Sequence, residues 1–416
     1  MMINQTATGL NSRSKANPFD KNGFLPLITA PMYSIVDETN YQIFLDNKIQ
    51  VCLPRNICFS NMRKFDGFQS FSLSDFIKYF IDQTGQDFLP KVCIDTANGN
   101  IPQLHEAITK AKEIHGDKLV IMAGNVASVE AFVELAKTGV DYIRVGIGGG
   151  GGCNTTSNTG VGQEDLEELI RKCNLIQNQL FDVYERGEDF DYHWFSRYSN
   201  TAWIQWESGI SKILKKDCLQ VSKVKIVADG ISTYIKQCES KYGFNDNGYA
   251  AINKLLFAGA DLVMVGKLFA QCLESAGEKR ISSNEGLTWS NADQEQTLYY
   301  VNSKKWIAQI KYSGMSTQQE QAKYKLCPIC KGLNVTSDSY PCYFCNKDEY
   351  KRVTGSSSYI KTDLIKPSEG SVQWIPVRWT LDEWLNGNDK QDQAPYLMGW
   401  INSIKSTMSY TGRETL

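Results

Sequence analysis

The 416-residue sequence contains three histidines, His105, His115 and His193. So few histidines argue against a Ser-His-Asp triad or a metal centre built from several imidazoles. The net charge is −2, so no general attraction to nucleic acid or to an anionic membrane is expected. No apolar run approaches the ~20 residues of a membrane span, and the first fifteen residues are polar. We therefore expect no membrane helix and no signal peptide.

The overall composition indicates the class of protein. Hydrophobic residues make up 42% of the chain and charged residues 22%, values typical of a soluble globular protein. The twelve cysteines, in the absence of a secretory signal, indicate reduced thiols and predict a cytoplasmic protein. The length suits a single barrel carrying insertions.

Short apolar runs recur along the chain with helical stretches between them. Continuous rather than alternating apolar strands are typical of a parallel sheet covered on both faces. Eight such βα repeats predict an α/β fold, a (β/α)8 TIM barrel spanning 1–416 as a single domain. Helices are predicted over Ile101–His115, Val129–Thr138 and Tyr249–Phe257. The predicted strands are Leu25–Pro31, Ile49–Pro54, Phe68–Phe71, Lys91–Asp95, Leu119–Ala123, Tyr142–Ile147, Val224–Ala228 and Leu262–Val265.

Two insertions interrupt this rhythm. The stretch 165–220 is too long for one helix and rich in aromatic residues, which predicts a helical excursion that fills core or contacts a subunit. The stretch 316–365 carries two Cys-x-x-Cys pairs and predicts a flap-like excursion with a structural zinc site. A disulfide pair is the alternative, and the lysine density nearby does not favour nucleic-acid binding. The four cysteines are Cys327, Cys330, Cys342 and Cys345.

The most distinctive stretch follows the sixth predicted strand. Six of the seven residues from Gly146 to Gly152 are glycine, and Cys153 comes next. Glycine lets the main chain approach a ligand closely, so a loop this bare predicts a bound anion or cation. A cysteine at the end of such a loop, facing a barrel mouth, is a candidate nucleophile if its thiolate is stabilised.

The loop resembles the catalytic loop of the IMP dehydrogenase / GMP reductase family, in which the cysteine is followed by two threonines. Here Asn154 is one extra residue before Thr155 and Thr156. Other stretches match the family in the same order along the chain. They are Leu10–Ser14, Ala30–Met32, Ile94–Gly99, Met122–Val126, Thr159–Gly162, Ala228–Gly230, Met264–Gly266, Tyr312–Ser316 and Ser368–Gly370.

The resemblance implies a barrel enzyme that acts on a purine mononucleotide. Cys153 is implied as the nucleophile that attacks C2 of the purine and forms a covalent thioimidate. Glu369 and Thr156 are implied to move the proton that makes ammonia a leaving group. Asp229 is implied to hold the ribose hydroxyls. The other implied substrate contacts are Met32, Gly230, Gly266, Lys267, Tyr312, Gly314 and Met315.

The resemblance also implies the cofactors. NADPH, with NAD as the alternative, is expected on the side of the site formed by Asp95, Thr96, Asn98 and Gly124. A monovalent cation, K+ in particular, is expected on the backbone carbonyls of Gly148, Gly150 and Cys153. We further expect a homotetramer.

The activity favoured is that of the reductase branch, reductive deamination of GMP, or of a GMP-like nucleotide such as dGMP, to IMP and ammonia. The stretch after Met315 lacks the arginine of the dehydrogenase flap, and Asn98 replaces the histidine common in dehydrogenases. The alternatives are NAD-dependent IMP dehydrogenase activity, or a nucleotide-binding paralogue that has lost turnover.

The phosphate-binding end departs from the family pattern. Gly151 stands where the family has serine, Ile231 where it has glycine, and Lys267 follows Gly266. Lys267 either replaces hydroxyl and amide contacts by charge or points outward. A different substrate, such as a deoxynucleotide or a modified purine, is the alternative. The extra Asn154 could also shift Thr155 and Thr156 relative to Cys153.

Overall fold

A computed structural model describes residues 12–55, 65–82, 90–187, 215–283, 286–302, 307–313, 371–388 and 397–416, with a few short pieces between and before them. The cysteines of the two Cys-x-x-Cys pairs lie outside the described residues, as does most of 188–214. Within the excursion 316–365, a hairpin pairs Tyr350–Arg352 with Tyr359–Lys361.

Eight parallel strands form the central sheet, and each lies beside its neighbour in the sequence. The strands are β1 (Leu27–Thr29), β2 (Cys52–Leu53), β3 (Phe68–Phe71), β4 (Lys91–Asp95), β5 (Val120–Val126), β6 (Tyr142–Val145), β7 (Lys225–Ala228) and β8 (Leu262–Val265). β8 pairs with β1 in parallel. This order confirms the predicted strands.

The sheet closes between β1 and β2. The amide of Thr29 donates to the carbonyl of Gln50 at 3.0 Å, and the amide of Gln50 donates to the carbonyl of Leu27 at 3.0 Å. The buried hydroxyl of Thr29 accepts from the amide of Cys52 at 2.9 Å and extends the contact. The architecture is therefore the predicted (β/α)8 TIM barrel, with strands that are apolar along their length because both faces are covered.

Helices follow most of the strands, and those that cover the outside of the barrel have apolar positions with helical spacing. In chain order they are α1 (Tyr41–Asp46), α2 (Leu73–Ile77), α3 (Pro102–His115), α4 (Val129–Ala136), α5 (Thr155–Thr159), α6 (Leu166–Arg186), α7 (Lys215–Lys223), α8 (Ile231–Tyr242), α9 (Tyr249–Ala258), α10 (Lys267–Ala270), α11 (Gln294–Asn302), α12 (Leu381–Asn386) and α13 (Trp400–Thr411). No helix of the described residues combines the length and the apolar character that crossing a bilayer requires.

The predicted insertion 165–220 begins with a barrel helix. α6 follows β6 and caps its own first turn, because the Asp165 carboxylate accepts from the amide of Glu168. α7 packs on α6, and the buried amide of Gln177 donates to the carbonyl of Val221 at 3.0 Å. The first and last parts of this stretch therefore belong to the barrel wall.

A second sheet follows the barrel strands. Its four antiparallel strands are β9 (Lys279–Ser282), β10 (Ser290–Ala292), β11 (Ile307–Ser313) and β12 (Val372–Pro376), in the order β10-β9-β11-β12. β11 ends and β12 begins on either side of the stretch that contains the predicted excursion 316–365. Tyr312 pairs with Gln373 across this junction.

Candidate active site

The glycine loop after β6 packs so closely on its surroundings that side chains would not fit. A Cβ on Gly149 would lie 2.1 Å from the carbonyl oxygen of Gly230, where α8 begins. Gly148 has φ +74°, and a Cβ there would lie 1.8 Å from Oγ1 of Thr156. Both positions therefore require glycine for close backbone approach and, at Gly148, for the left-handed conformation.

Hydrogen bonds from three parts of the chain hold this loop. The side chain of Gln163 accepts from the amide of Ile147 at 2.7 Å. The amide of Thr233, in the first turn of α8, donates to the carbonyl of Gly149 at 3.0 Å. The amide of Ser371, next to β12, donates to the carbonyl of Gly152 at 3.0 Å. The bare backbone is thus fixed by neighbours rather than by its own side chains.

Cys153 is exposed at the end of this loop. Its thiol donates to Oγ1 of Thr155 at 3.2 Å, while Oγ1 of Thr156 donates to the carbonyl of Val161 at 2.8 Å. The inserted Asn154 therefore leaves Thr155, two residues after the cysteine, beside the sulfur. The predicted proton-transfer residue Thr156 packs under Gly148 instead, and the role given to it stays a prediction.

A buried arginine joins two of the predicted site carboxylates. Arg144 lies on β6 and is 7% exposed. Its Nη1 lies 2.8 Å from Oδ1 of Asp95 at the end of β4, and its Nη2 lies 2.9 Å from Oδ2 of Asp229 after β7. Arg55 adds a second guanidinium 2.9 Å from Oδ2 of Asp95. Asn125 donates to Oδ2 of Asp229 at 2.7 Å.

This network keeps the Asp95 carboxylate ionised. Burial by itself raises the pKa of Asp95, but the guanidinium groups of Arg55 and Arg144 outweigh it and lower the pKa to about 2. Burial lowers the pKa of Arg144, and the anionic partners, Asp229 foremost, raise it well above its usual value. Among the described residues, the other oxygen of Asp229, Oδ1, accepts from the amide of Gly230 at 2.6 Å. A carboxylate oxygen accepts more than one hydrogen bond, so Oδ1 retains capacity for a hydroxyl.

Lys267 lies against the glycine loop and does not simply point outward. The Cδ of Lys267 is 3.0 Å, and Oγ of Ser232 is 3.2 Å, from the place where Gly151 would carry a Cβ. Burial lowers the pKa of the Lys267 ammonium, and the neighbouring cations Lys236 and Arg378 lower it further. A side chain at position 151 would therefore require Lys267 or Ser232 to shift slightly.

Tyr312 reaches the same region from the second sheet. It is 1% exposed, and its hydroxyl lies 3.5 Å from the place of a Cβ on Gly266. Burial raises its pKa, and the nearby Asp229 and Cys153 raise it further. Met32 is half-buried after β1 and packs against the core. Met32 therefore lies at the carboxyl end of β1, and the Tyr312 hydroxyl lies near the carboxyl end of β8.

The predicted nicotinamide side lies at the ends of β4 and β5. The hydroxyl of Thr96 donates to the carbonyl of Gly124 at 2.7 Å, which joins the two strand ends. Asn98 is exposed, and its Oδ1 accepts from the amide of Asn100 at 2.9 Å. Asp95 is occupied by the two arginines. Of these residues, Asn98 offers the most accessible polar group.

Several predicted site residues lie outside the described residues: Gly314, Met315, Glu369 and the four cysteines Cys327, Cys330, Cys342 and Cys345. Within the part of the chain that is described, no group of three or more His, Cys, Asp or Glu side chains could hold a metal ion. Sequence reasoning missed Arg144, Arg55, Asn125 and Thr155. A charged residue inside the apolar strand Tyr142–Val145 was the available signal for Arg144, because a buried charge needs a partner.

The closed parallel barrel carries a glycine loop that ends in a cysteine, and carboxylates paired with arginine, at the carboxyl ends of its strands. This is the end at which (β/α)8 enzymes place their active sites. Residues 80–184 match the model of the IMP dehydrogenase / GMP reductase domain. This stretch runs from before β4 into α6 and includes Cys153.

The chain is also similar to individual proteins named GMP reductase. The chain is 39% identical over 99 residues to the GMP reductase of Edwardsiella ictaluri, covering 24% of this chain and 28% of that protein. It is 44% identical over 79 residues to the GMP reductase of Yersinia enterocolitica, covering 19% and 22%. It is 36% identical over 111 residues to that of Buchnera aphidicola, covering 27% and 28%. The aligned part thus spans less than a third of each of these relatives.

Removal of the shared cation tests the ionic network. Arg144→Met is expected to lower the free energy of unfolding by about 3–5 kcal/mol, because two carboxylates lose their buried partner. Asp95 contributes stability above its unfolded pKa of 3.8, and this contribution is lost as the pH falls towards about 2. The difference in stability between the wild type and the variant should therefore shrink as the pH falls below 3.8.

Urea unfolding between pH 3 and pH 7 measures both effects. Arg171→Met is the matched control, since Arg171 pairs with Glu167 but is 42% exposed. Its effect should stay within about 1 kcal/mol. Equal losses in the two variants would contradict the special role of Arg144.

Proposed function

We propose that this protein catalyses the NADPH-dependent reductive deamination of GMP to IMP and ammonia, or of a GMP-like nucleotide such as dGMP to its own inosine counterpart (dIMP) and ammonia. The observation that carries the proposal is the exposed thiol of Cys153, which lies beside Thr155 at the end of a rigidly packed glycine loop. The loop belongs to the stretch that matches the IMP dehydrogenase / GMP reductase domain. The relatives named GMP reductase favour the reductase direction over IMP dehydrogenase.

In the proposed reaction the thiolate of Cys153 adds to C2 of the purine, and the 2-amino group leaves as ammonia after gaining a proton. The product of this step is a thioimidate. Hydride addition to C2 then breaks the carbon–sulfur bond and releases IMP and the thiolate. NADPH, when bound, supplies the hydride. Thr155, whose hydroxyl contacts the thiol, and Glu369 are proposed to pass the proton to the leaving amine, with Thr156 as the other candidate.

The sugar and phosphate are proposed to bind on the β7 and β8 side. Asp229 accepts hydrogen bonds from the ribose through Oδ1, while Oδ2 is held by Arg144 and Asn125. Lys267 and Ser232 meet beside Gly151 and offer an ammonium and a hydroxyl to a phosphate. Charge here replaces the hydroxyl that position 151 lacks.

The cofactors are proposed around this site. The exposed Asn98 is proposed to orient the nicotinamide. Thr96 and Gly124, which are hydrogen-bonded to each other, are proposed to form the wall behind it. Asp95 acts indirectly, through Arg144 and Arg55. The carbonyls of Gly148, Gly150 and Cys153 are the proposed ligands of a monovalent cation, since oxygen donors suit hard cations. A homotetramer also remains a proposal.

Turnover of purified protein tests the function. NADPH should be consumed in the presence of GMP or dGMP, with release of ammonia. Cys153→Ala should abolish turnover and leave nucleotide binding within about threefold, because the thiol acts in the chemical step. Cys173→Ala, at a buried cysteine of α6, is the control. The absence of turnover with GMP, dGMP, or IMP plus NAD would refute the enzyme assignment.

Lys267→Ala tests the phosphate site. Loss of a charge-assisted contact should weaken GMP binding about 10- to 100-fold and leave guanosine binding unchanged. The ammonium is the form that binds phosphate, and its pKa lies below the usual 10.5. As the pH rises, GMP binding should therefore begin to weaken at a lower pH than it would with a lysine of ordinary pKa. Equilibrium binding measures both, with exposed Lys241→Ala as the control. An unchanged preference for GMP over guanosine would show that Lys267 does not bind phosphate.

Zinc is proposed for the two Cys-x-x-Cys pairs. Elemental analysis should find about one zinc per chain, because four thiolates complete a tetrahedral site. Paired replacement of Cys327 and Cys330 by serine should remove the metal. Wild-type protein that is purified without chelator and contains no zinc would contradict the site.

A further inference from the structure

The last carbonyls before Cys153 are held by the second sheet rather than by the barrel. The side-chain amide of Gln373, on β12, donates to the carbonyl of Gly151 at 3.3 Å and to Oγ of Ser371 at 2.9 Å. The backbone amide of Ser371 donates to the carbonyl of Gly152 at 3.0 Å. Two consecutive carbonyls therefore bond to one short stretch of chain.

These contacts act on the turn that carries the thiol. The amide of Cys153 donates to the carbonyl of Gly150 at 3.1 Å, so residues 150–153 form a closed turn. Gly152 is buried whereas Cys153 is exposed. A turn of glycines has little preference for one conformation, so external hydrogen bonds decide where the sulfur points.

The position of Gln373 is itself well fixed. It pairs with Tyr312 in the β11–β12 ladder, and Tyr312 is 1% exposed and lies near both Asp229 and Cys153. The pairing of β11 with β12 thus fixes the position of the Gln373 side-chain amide relative to the glycine loop. A strand provides a more precise support than a loop for a site of this kind.

We infer that Gln373 is a positioning residue for Cys153: its amide, held by Ser371, fixes the turn 150–153 and so the direction of the thiol. This inference rests on the proposed nucleophilic role of Cys153. Gln373 acts through the Gly151 carbonyl and forms no bond to the substrate. The second sheet then contributes to catalysis by geometry.

Gln373→Leu removes the donor at nearly constant size, and Gln373→Lys keeps a donor of similar length. We expect kcat of the leucine variant to fall about 10-fold, with KM for the nucleotide changed less than about threefold, since misplacement affects the reacting atom more than binding. The lysine variant should recover most of kcat. Gln309→Leu is the control, because Gln309 lies on β11 of the same sheet and its side chain accepts from Arg280.

A measurement without substrate separates this inference from the proposed function. Alkylation of Cys153 by iodoacetamide, resolved by peptide mass spectrometry, should change in rate about threefold in Gln373→Leu and return towards the wild-type rate in Gln373→Lys. Unchanged alkylation and unchanged kcat in the leucine variant would overturn the inference. Equal losses in Gln309→Leu would also overturn it, because they would indicate general weakening of the sheet. If the wild type turns over no nucleotide, the alkylation comparison still decides.

Discussion

The site depends on one buried guanidinium. Arg144 crosses from β6 to the carboxylates at the ends of β4 and β7, and it is the shared partner of Asp95 and Asp229. Two carboxylates of this kind would repel each other or become protonated if they were buried without a cation. Arg144 therefore links the strand ends that bear the predicted cofactor and sugar contacts. Arg55 and Asn125 complete the network at its two ends.

The glycine loop, unlike the carboxylates, is held mainly by hydrogen bonds to its backbone. It lacks side chains with which to hold itself, so its order comes from Gln163, from the start of α8 and from β12. Each support comes from a different part of the chain, and together they leave Cys153 exposed at a defined place. Lys267 occupies space that a side chain at Gly151 would need. The absence of side chains thus lets Gly149 pack closely on Gly230 and leaves room for Lys267 beside Gly151.

Much of the fold could be predicted, since buried parallel strands appear as continuous apolar runs. β3 and β4 match their predicted bounds, whereas β5 continues to Val126 because its pairing with β4 and β6 extends past Ala123. The site was less predictable. Asp95, Asp229 and Cys153 follow apolar strands and are recognisable as polar residues at strand ends. Thr155 was not chosen, because spacing along the chain does not tell which hydroxyl faces the sulfur once Asn154 is inserted.

The repeated βα units, the cysteine that follows a strand and a glycine loop, and the similarity of residues 80–184 to a known domain can all be recognised from the sequence alone. These are local properties, expressed in the order and apolar character of neighbouring residues. Only the folded chain shows which groups meet: Arg144 with two carboxylates, Thr155 with the thiol, Lys267 with Gly151, and Gln373 with the glycine loop. Those contacts join residues that are distant in the chain, and closure of the barrel with its appended sheet brings them within hydrogen-bonding distance.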